Sequence, residues 1–246
     1  MSRARASEDA FVDELFASAP RQGAPLMVAT APRAFVDLNR AATELDPALV
    51  QGVPKIGVNP RVAAGLGVIP RVVADGKVIR RGKMPLSEAR ARLKRYHEPY
   101  HTALAEVLAA QRARFGAAFL FDCHSMPREA VLSTPHVNGR RPDVVLGDRF
   151  GAACARWVIE EAAAVFTRAG FAVARNAPFA GGYITQHYGA PERGVHALQI
   201  EIDRALYLDE RRVERRADFR AFVGVLEPVI RELSALGGEA LPLAAE

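Results

Sequence analysis

Three side chains that could bind a metal ion or attack a carbonyl carbon follow one another at Asp122, Cys123 and His124. The apolar run at residues 117–120 precedes them and predicts a buried strand. Ligand sites in α/β sheets form at the carboxyl ends of strands, because the loops there open into a crevice. His124 is therefore a candidate metal ligand that Asp122 could orient, or else a histidine that caps a loop. Cys123 should point to the opposite side and has no evident activating partner, which favours a buried residue over a nucleophile.

Glu201 is a second candidate, because it lies inside the otherwise apolar strand predicted at residues 198–202. A carboxylate in such a strand has to be paired, bound to a metal or neutralised. One use of such a group is as a general base for a metal-bound water. The alternative is a glutamate at the end of a strand that faces solvent.

Two further segments could bind a ligand. Asn39 and Arg40 follow a strand predicted at residues 34–38, where the guanidinium of Arg40 could bind a carboxylate bidentately or could be an ordinary surface charge. The glycine-rich segment 179–189 lacks the spacing of a phosphate-binding loop and is not expected to open a helix. Its paired glycines would instead let the backbone approach a ligand closely.

The segment from His97 to His101 matches the zincin pattern, in which two histidines four residues apart bind zinc and a glutamate between them acts as base. Pro99 lies inside this segment, and proline removes a backbone donor and disturbs a helix. The sequence therefore favours two helix-face histidines packed beside Tyr96 and Tyr100, with a peptidase site as the weaker alternative.

Alternating strand and helix patterns predict the scaffold around these residues. An N-cap at Ser7 predicts a helix with Glu8 and Asp9 in its first turn. Strands are predicted at residues 26–30, 34–38, 117–120, 143–147, 171–175 and 198–202, with a hairpin at 72–79 and long helices at 87–116, 151–169 and 216–236. The irregular stretch 41–85 is typical of a functional loop or lid. The alternation predicts a single α/β domain over residues 1–246, with a mixed or mostly parallel sheet.

Composition restricts the class of protein. A chain of 246 residues, 50% of them hydrophobic, can bury a large core. The net charge of +5 comes mostly from arginines scattered among acids, which favours solvated faces or small anionic ligands over nucleic acid. Two cysteines are too few for a disulfide framework, and we find neither a signal peptide nor an apolar run of about 18 residues. These features predict a soluble cytoplasmic protein with no membrane or nucleic-acid partner.

Six segments occur in an order that resembles the N-formylglutamate amidohydrolase (deformylase) family, whose fold is similar to that of zinc carboxypeptidases and aspartoacylase-like deacylases. These segments are residues 36–40, 99–101, 122–127, 147–151, 181–189 and 196–202. Together they span nearly the whole chain. The resemblance implies a single three-layer α/β domain with a mixed, mostly parallel sheet flanked by helices.

The resemblance also implies an activity. Zinc, or another divalent transition metal, would activate a water that attacks the amide bond of N-formyl-L-glutamate or a related N-acyl amino acid. His124 and Asp9, or the acid before Asp9, would bind the metal, and Glu201 would carry protons from the water to the leaving amine. Asn39 and Arg40 would hold the carboxylate of this small anionic substrate. Further pocket residues would be Arg149, Gly182, Tyr183 and His187. The family suggests a role in histidine breakdown.

One family segment is missing from the chain. The family begins with a strand and a Pro-His-Ser/Ala-Gly loop whose histidine is expected to bind the metal, and Pro135-His136 lies too far along to replace it. Either the chain starts downstream of the original start, which the intact remainder favours, or it is a degraded homologue. Both predict a sheet without its N-terminal strand.

Two alternative functions stay open. One is a homologue that binds an acidic N-acyl amino acid through Arg40 and the glycine-rich segment, without catalysis, and the other is the zincin-type peptidase. The oligomeric state also stays open.

Overall fold

The computed structural model describes residues 7–55, 59–73, 76–80 and 82–236. The chain divides into two compact units and passes between them several times. The first unit is built on Met27–Glu106, with Glu210–Val213 and the segment that ends at Ala10. The second is built on Val107–Asp209, with Phe11–Leu26 and the segment that starts at Glu214. The assignment of the whole chain to one domain stays a prediction.

Helices and strands alternate through the described residues. The α-helices are α1 (Val12–Leu15), α2 (Pro60–Ala63), α3 (Leu86–Arg92), α4 (Glu98–Phe115), α5 (Arg156–Arg168), α6 (Tyr183–Tyr188) and α7 (Phe219–Ala235). The strands are β1 (Val72–Val73), β2 (Lys77–Val78), β3 (Ala118–Met126), β4 (Val144–Gly147), β5 (Val173–Arg175), β6 (Val195–Asp203), β7 (Leu208–Asp209) and β8 (Glu214–Arg215). A π-helical turn at Leu93–His97 joins α3 to α4, so the long helix predicted at residues 87–116 is confirmed. None of the helices in the described part of the chain is both long enough and apolar enough to cross a membrane.

The central sheet belongs to the second unit and has the strand order β3–β6–β4–β5. β3 is parallel to β6 and β4 is parallel to β5, whereas β4 and β6 are antiparallel. Helix α5 packs on β4 and β5, α6 packs on β6, and α7 packs on α5. The predicted mixed, mostly parallel sheet flanked by helices is therefore confirmed.

β3 is longer than the sequence predicts. It pairs with β6 from Ala118, opposite Val195, to Met126, opposite Asp203. His124 therefore lies within the strand and not in a loop after it. The prediction ended the strand at its last apolar residue, but the backbone ladder continues because β6 offers partners along its whole length.

Alternation along the strands gives the sheet two different faces. Leu198, Ile200 and Ile202 of β6 lie in the main hydrophobic core, together with Val144 and Leu146 of β4 and apolar residues of α5 and α7. Gln199 and Glu201 therefore project to the other face, since successive side chains of a strand alternate. Their partners on β3, Asp122 and His124, project to that same face.

The first unit has a small core of its own. It is formed by the buried residues Val36, Leu49, Val50, Val68, Ile69, Met84, Ala89 and Leu93. Within the predicted irregular stretch 41–85, β1 and β2 form the expected antiparallel hairpin. Of its predicted turn, Asp75-Gly76, the first residue lies outside the described residues and Gly76 has a φ of 67°. The stretch is folded against α3 through this core, so it is a packed part of the unit and not an open lid.

Four local predictions are wrong: two strands and the starts of two helices. Residues 26–30 and 34–38 are not strands: the second stretch turns instead, with the Phe35 and Val36 N–H groups donating to the Pro32 carbonyl. The first helix begins at Val12 and not after Ser7, because Phe11 has a left-handed φ of 64°. α5 begins five residues later than predicted, because left-handed residues precede it.

Candidate functional site

A row of four polar side chains crosses the non-core face of the sheet. His124 is paired in register with Glu201, and Asp122 is paired with Gln199. His124 Nε2 lies 2.9 Å from Asp122 Oδ1, and Gln199 Nε2 donates to Glu201 Oε1 at 2.8 Å. Glu201 is only 7% exposed, so the solvent-facing alternative is wrong and the carboxylate is paired, as a buried acid must be.

The carboxylate of Asp122 orients the ring of His124. An Nε2–H that donates to this carboxylate fixes the orientation and the tautomer of the ring. The side chain of His124 is 13% exposed and that of Asp122 is 9% exposed. The predicted orienting role of Asp122 agrees with this geometry.

The glycine-rich segment lies on this face of the sheet, where α6 packs against β6. The Gly182 N–H donates to Gln199 Oε1 at 2.7 Å, and Thr185 Oγ1 donates to the Gly182 carbonyl at 2.9 Å. α6 begins directly after Gly182, so the expectation that the segment opens no helix is wrong. The rings of Tyr183 and His187 stack within α6, with centroids 5.0 Å apart.

Only glycine fits at position 181, because the space around its Cα is already filled. Its φ is 123°, and an added Cβ would lie 2.5 Å from Thr185 Oγ1 and 3.0 Å from Arg149 Cγ. The aliphatic part of Arg149 therefore lies directly against Gly181. This contact brings two of the predicted pocket segments together.

Arg149 lies in a strained loop. Arg149, Phe150 and Gly151 have φ values of 56°, 58° and 88°, and the left-handed region is unfavourable for the first two. The Arg149 N–H donates to the Ala180 carbonyl at 2.7 Å, which ties this loop to the glycine-rich segment. Phe150 is 80% exposed.

Asn176 holds the strained loop, and sequence reasoning missed it. Its Oδ1 accepts from the backbone N–H groups of Asp148 at 3.0 Å and Phe150 at 3.3 Å. Its Nδ2 donates to Asp148 Oδ1 at 2.7 Å. Gln199 was also missed, although its position two residues before Glu201 on the same strand would have placed both side chains on one face.

The remaining predicted substrate residues belong to the first unit. Asn39 donates its backbone N–H to Asp37 Oδ1 at 2.9 Å. Arg40 Nη1 donates to the Asn39 carbonyl at 2.7 Å, and its Nε donates to the Leu66 carbonyl at 3.2 Å. Burial lowers the pKa of the Arg40 guanidinium, while the charge of Asp37 opposes this shift. The side chain of Arg40 is 12% exposed, so the ordinary surface arginine is excluded.

Asp9 is part of an ion-pair chain in the first unit. Arg33 Nη1 lies 3.3 Å from Asp9 Oδ2, and Arg33 Nε lies 3.0 Å from Asp37 Oδ2. Arg33 therefore joins the candidate metal ligand Asp9 to the acid that holds Asn39.

His97 and His101 do not form a zincin site. Their Nε2 atoms lie 2.9 Å from the Arg40 carbonyl oxygen and 3.0 Å from the Leu38 carbonyl oxygen. A carbonyl only accepts hydrogen bonds, so both Nε2 atoms carry a proton and cannot bind metal. Pro99 lies inside the continuous helix, directly after the π-helical turn at Leu93–His97, so the presence of this proline does not itself exclude the zincin pattern.

The described residues do not complete a zinc site. Among them, no group of three or more His, Cys, Asp or Glu side chains could hold a metal ion. Catalytic zinc usually takes three protein ligands and keeps one position open. The metal roles of His124 and Asp9 stay predictions, and a metal would need donors beyond this set.

The two cysteines are not nucleophiles. Burial, followed by the charge of Asp122, raises the pKa of the Cys123 thiol far above its usual range. Burial, followed by the charge of Asp148, raises the pKa of Cys154 to about 12. Since the thiolate is the reactive form, both thiols are inert, as expected for Cys123.

Comparisons with known proteins identify the family of the chain. Residues 1–208 match the model of the family described as N-formylglutamate amidohydrolase. A protein of Pseudomonas aeruginosa named N-formylglutamate deformylase is 36% identical over 244 residues, covering 97% of this chain and 85% of that protein. A Pseudomonas putida protein of the same name is 32% identical over 213 residues, covering 85% of this chain and 73% of its own length.

Solved structures agree as well. The crystal structure of N-formylglutamate amidohydrolase from Ralstonia eutropha JMP134 superposes with a TM-score of 0.87 at 32% identity, covering 97% of this chain and 85% of that one. The gene product Atu2144 from Agrobacterium tumefaciens has a TM-score of 0.58 at 18% identity, which shows a shared fold. The chain therefore belongs to the N-formylglutamate amidohydrolase family.

Proposed function

We propose that this protein hydrolyses the amide bond of N-formyl-L-glutamate, or of a related N-acyl amino acid, to release the acid and the free amine. The observation that carries the proposal is the row formed by His124 and Glu201. These residues lie opposite each other on neighbouring strands, on the face covered by the glycine-rich segment. The family membership and the names of the relatives support the same reaction.

Glu201 is the proposed acid and base. Its carboxylate would take a proton from the attacking water and deliver it to the amide nitrogen as the C–N bond breaks. The hydrogen bond from Gln199 holds one carboxylate oxygen, which fixes the direction of the other. For the formyl substrate, one water is consumed and formate and L-glutamate are formed.

The substrate's anionic groups would be bound by arginine. Two of the three nitrogens of Arg40 donate to backbone carbonyls, which holds the guanidinium in one orientation. The third, Nη2, would donate to a substrate carboxylate, with Asn39 beside it. The remaining pocket residues of this proposal are Arg149, Gly182, Tyr183 and His187.

A divalent transition metal such as zinc is part of the proposal through His124, which would supply one ligand. A bound metal would polarise the carbonyl or the water. Metal analysis of the purified protein, before and after dialysis against a chelator, tests this part. Retention of about one zinc per chain, lost in His124→Ala, would support it.

The activity test is formate release from N-formyl-L-glutamate. We expect Glu201→Gln to lower kcat by roughly 10²- to 10⁴-fold, as for the loss of a general base, with KM little changed. The control is Glu192→Gln, which alters a surface glutamate whose side chain is 68% exposed. Equal kcat in the two variants would refute the role of Glu201.

A non-catalytic binder is the second candidate, because no group of three or more possible metal ligands is found among the described residues. It predicts binding of N-formyl-L-glutamate by calorimetry, without turnover and without stoichiometric zinc. We expect the enzyme to act in the cytoplasm, in histidine breakdown. Loss of growth on histidine in a strain without the gene would support that role.

A further inference from the structure

His97 and His101 are the conspicuous pair that the proposed reaction does not use. They lie four residues apart on one helix face, with ring centroids 4.2 Å apart. Each donates a hydrogen bond from Nε2, His101 to the Leu38 carbonyl and His97 to the Arg40 carbonyl. The two bonds thus fall on either side of Asn39, in the segment that carries both proposed carboxylate-binding residues.

This segment has no regular secondary structure to hold it. Residues 37–40 lie in turns and open chain; the Asp37 N–H donates to the Val68 carbonyl, and side chains bond several further backbone groups of the segment. Asp37 accepts from the Asn39 N–H, and the histidines take the carbonyls on either side. Both carbonyls are partly buried, and the loss of a donor there costs free energy, so the backbone would move to find another one.

The helix is shaped to present the two rings. The π-helical turn ends at His97, and the Glu98 N–H bonds to the Leu93 carbonyl, one residue farther back than in an α-helix. Such turns are frequent at functional sites. His97 is 4% exposed and His101 is half-buried, so both rings are confined between the helix and this segment.

We propose that His97 and His101 are positioning residues for substrate recognition, which fix the backbone from Leu38 to Arg40 so that Arg40 meets the substrate's carboxylate. This inference rests on the proposed function only for the identity of the ligand. In this role the two rings would act through Arg40 and not through contact with the substrate or the reacting atoms. Their effect is therefore expected on carboxylate binding and not on the chemical step.

The kinetic test compares His101→Phe, which cannot donate, with His101→Gln, which keeps an N–H donor. The control is His136→Gln, because His136 is exposed and lies in the second unit. The substrates are N-formyl-L-glutamate and its two monoamides, in which one carboxylate is replaced by a carboxamide. In the parent protein, the monoamide that lacks the Arg40-bound carboxylate should show the higher KM.

For His101→Phe we expect KM for N-formyl-L-glutamate to rise roughly tenfold or more, with kcat within about threefold, the pattern of lost uniform binding. KM for the poorer monoamide should change by less than about twofold, since that substrate never had the interaction. His101→Gln should recover part of the loss. Equal losses for all three substrates, or kinetics equal to those of His136→Gln, would overturn the proposal.

Hydrogen exchange tests, without any need for turnover, whether His97 and His101 fix the backbone from Leu38 to Arg40. Faster exchange of the amides at residues 37–41 in His101→Phe, with an unchanged pattern in the second unit, is the expected result. Unchanged exchange there would overturn the proposal even if activity fell. If His101→Phe does not fold, hydrogen exchange at residues 37–41 in His101→Gln and His97→Gln decides whether the histidines hold this segment. A parent protein that neither binds nor hydrolyses N-formyl-L-glutamate would refute the proposed function. The exchange data would still test the positioning role of His97 and His101.

Discussion

Replacing Asn176 by glycine is expected to lower the free energy of unfolding by about 3 kcal/mol. The hydrogen bond from Nδ2 to the buried carboxylate of Asp148 should contribute about 2 kcal/mol, as bonds to charged groups do, and the bond from the Asp148 N–H about 1 kcal/mol. The longer bond from exposed Phe150 should add little. Glycine tolerates the φ of 59° at this position, so the variant removes the bonds without adding strain.

The assay is urea unfolding followed by circular dichroism, supported by thermal melting. For a chain of this size, about 3 kcal/mol corresponds to a Tm lower by roughly 6–12 °C. Asn138→Gly is the matched control, because Asn138 is also left-handed, with a φ of 51°, but is exposed and takes no part in such a network. We expect it to change the free energy of unfolding by less than about 0.5 kcal/mol.

Substrate binding should also depend on the strained loop that Asn176 holds. Release of the 148–151 loop in Asn176→Gly should displace Arg149 and raise KM, with a smaller effect on kcat. An Asn176→Gly variant within about 1 kcal/mol of the parent, or equal to Asn138→Gly, would refute the account of the strained loop.

Three further outcomes are expected. Arg40→Lys keeps the charge but loses the planar fork, so KM should rise roughly tenfold with kcat nearly unchanged, and an unchanged KM in formate release would contradict carboxylate binding. Gly181→Ala should destabilise the protein and raise KM, because the added Cβ would overlap the Thr185 side chain. Gly224 lies in open space on a helix, so Gly224→Ala should stabilise the protein by about 0.5–1 kcal/mol. Thermal melting of both variants checks these effects. Burial lowers the folded-state pKa of His196 below its usual 6.5, so the unfolded chain binds its proton first and stability should fall as pH drops below about 6.5. His196→Phe should reduce this slope between pH 8 and pH 5, and an unchanged slope in melting curves would refute the assignment.

Local sequence patterns were sufficient to predict the helices and strands whose own apolar spacing is regular. The helix at 86–115 and the strands β4 and β6 were predicted well, because apolar spacing along the chain reports the face that will be buried. Residues 26–38 have the composition of strands but form none, since a strand also needs a partner that sequence does not reveal. The helix predicted at Ser7 failed for a related reason: capping residues were present, but the backbone at Phe11 turned the other way.

The sequence by itself determined which side chains could do chemistry: His124, Glu201 and Arg40 are the residue types that the proposed reaction needs. Only the tertiary structure decided which groups face each other. His124 and Glu201 share a row because β3 pairs with β6 in one register, and a shift by one residue would put them on opposite faces. The spacing of His97 and His101 fits a metal site as well as a pair of carbonyl contacts, and only the structure shows that the Nε2 atoms face the carbonyls of Arg40 and Leu38. Hydrogen bonding and burial act between parts of the chain distant in sequence, so the roles of these residues depend on the folded neighbours and not on the residues themselves.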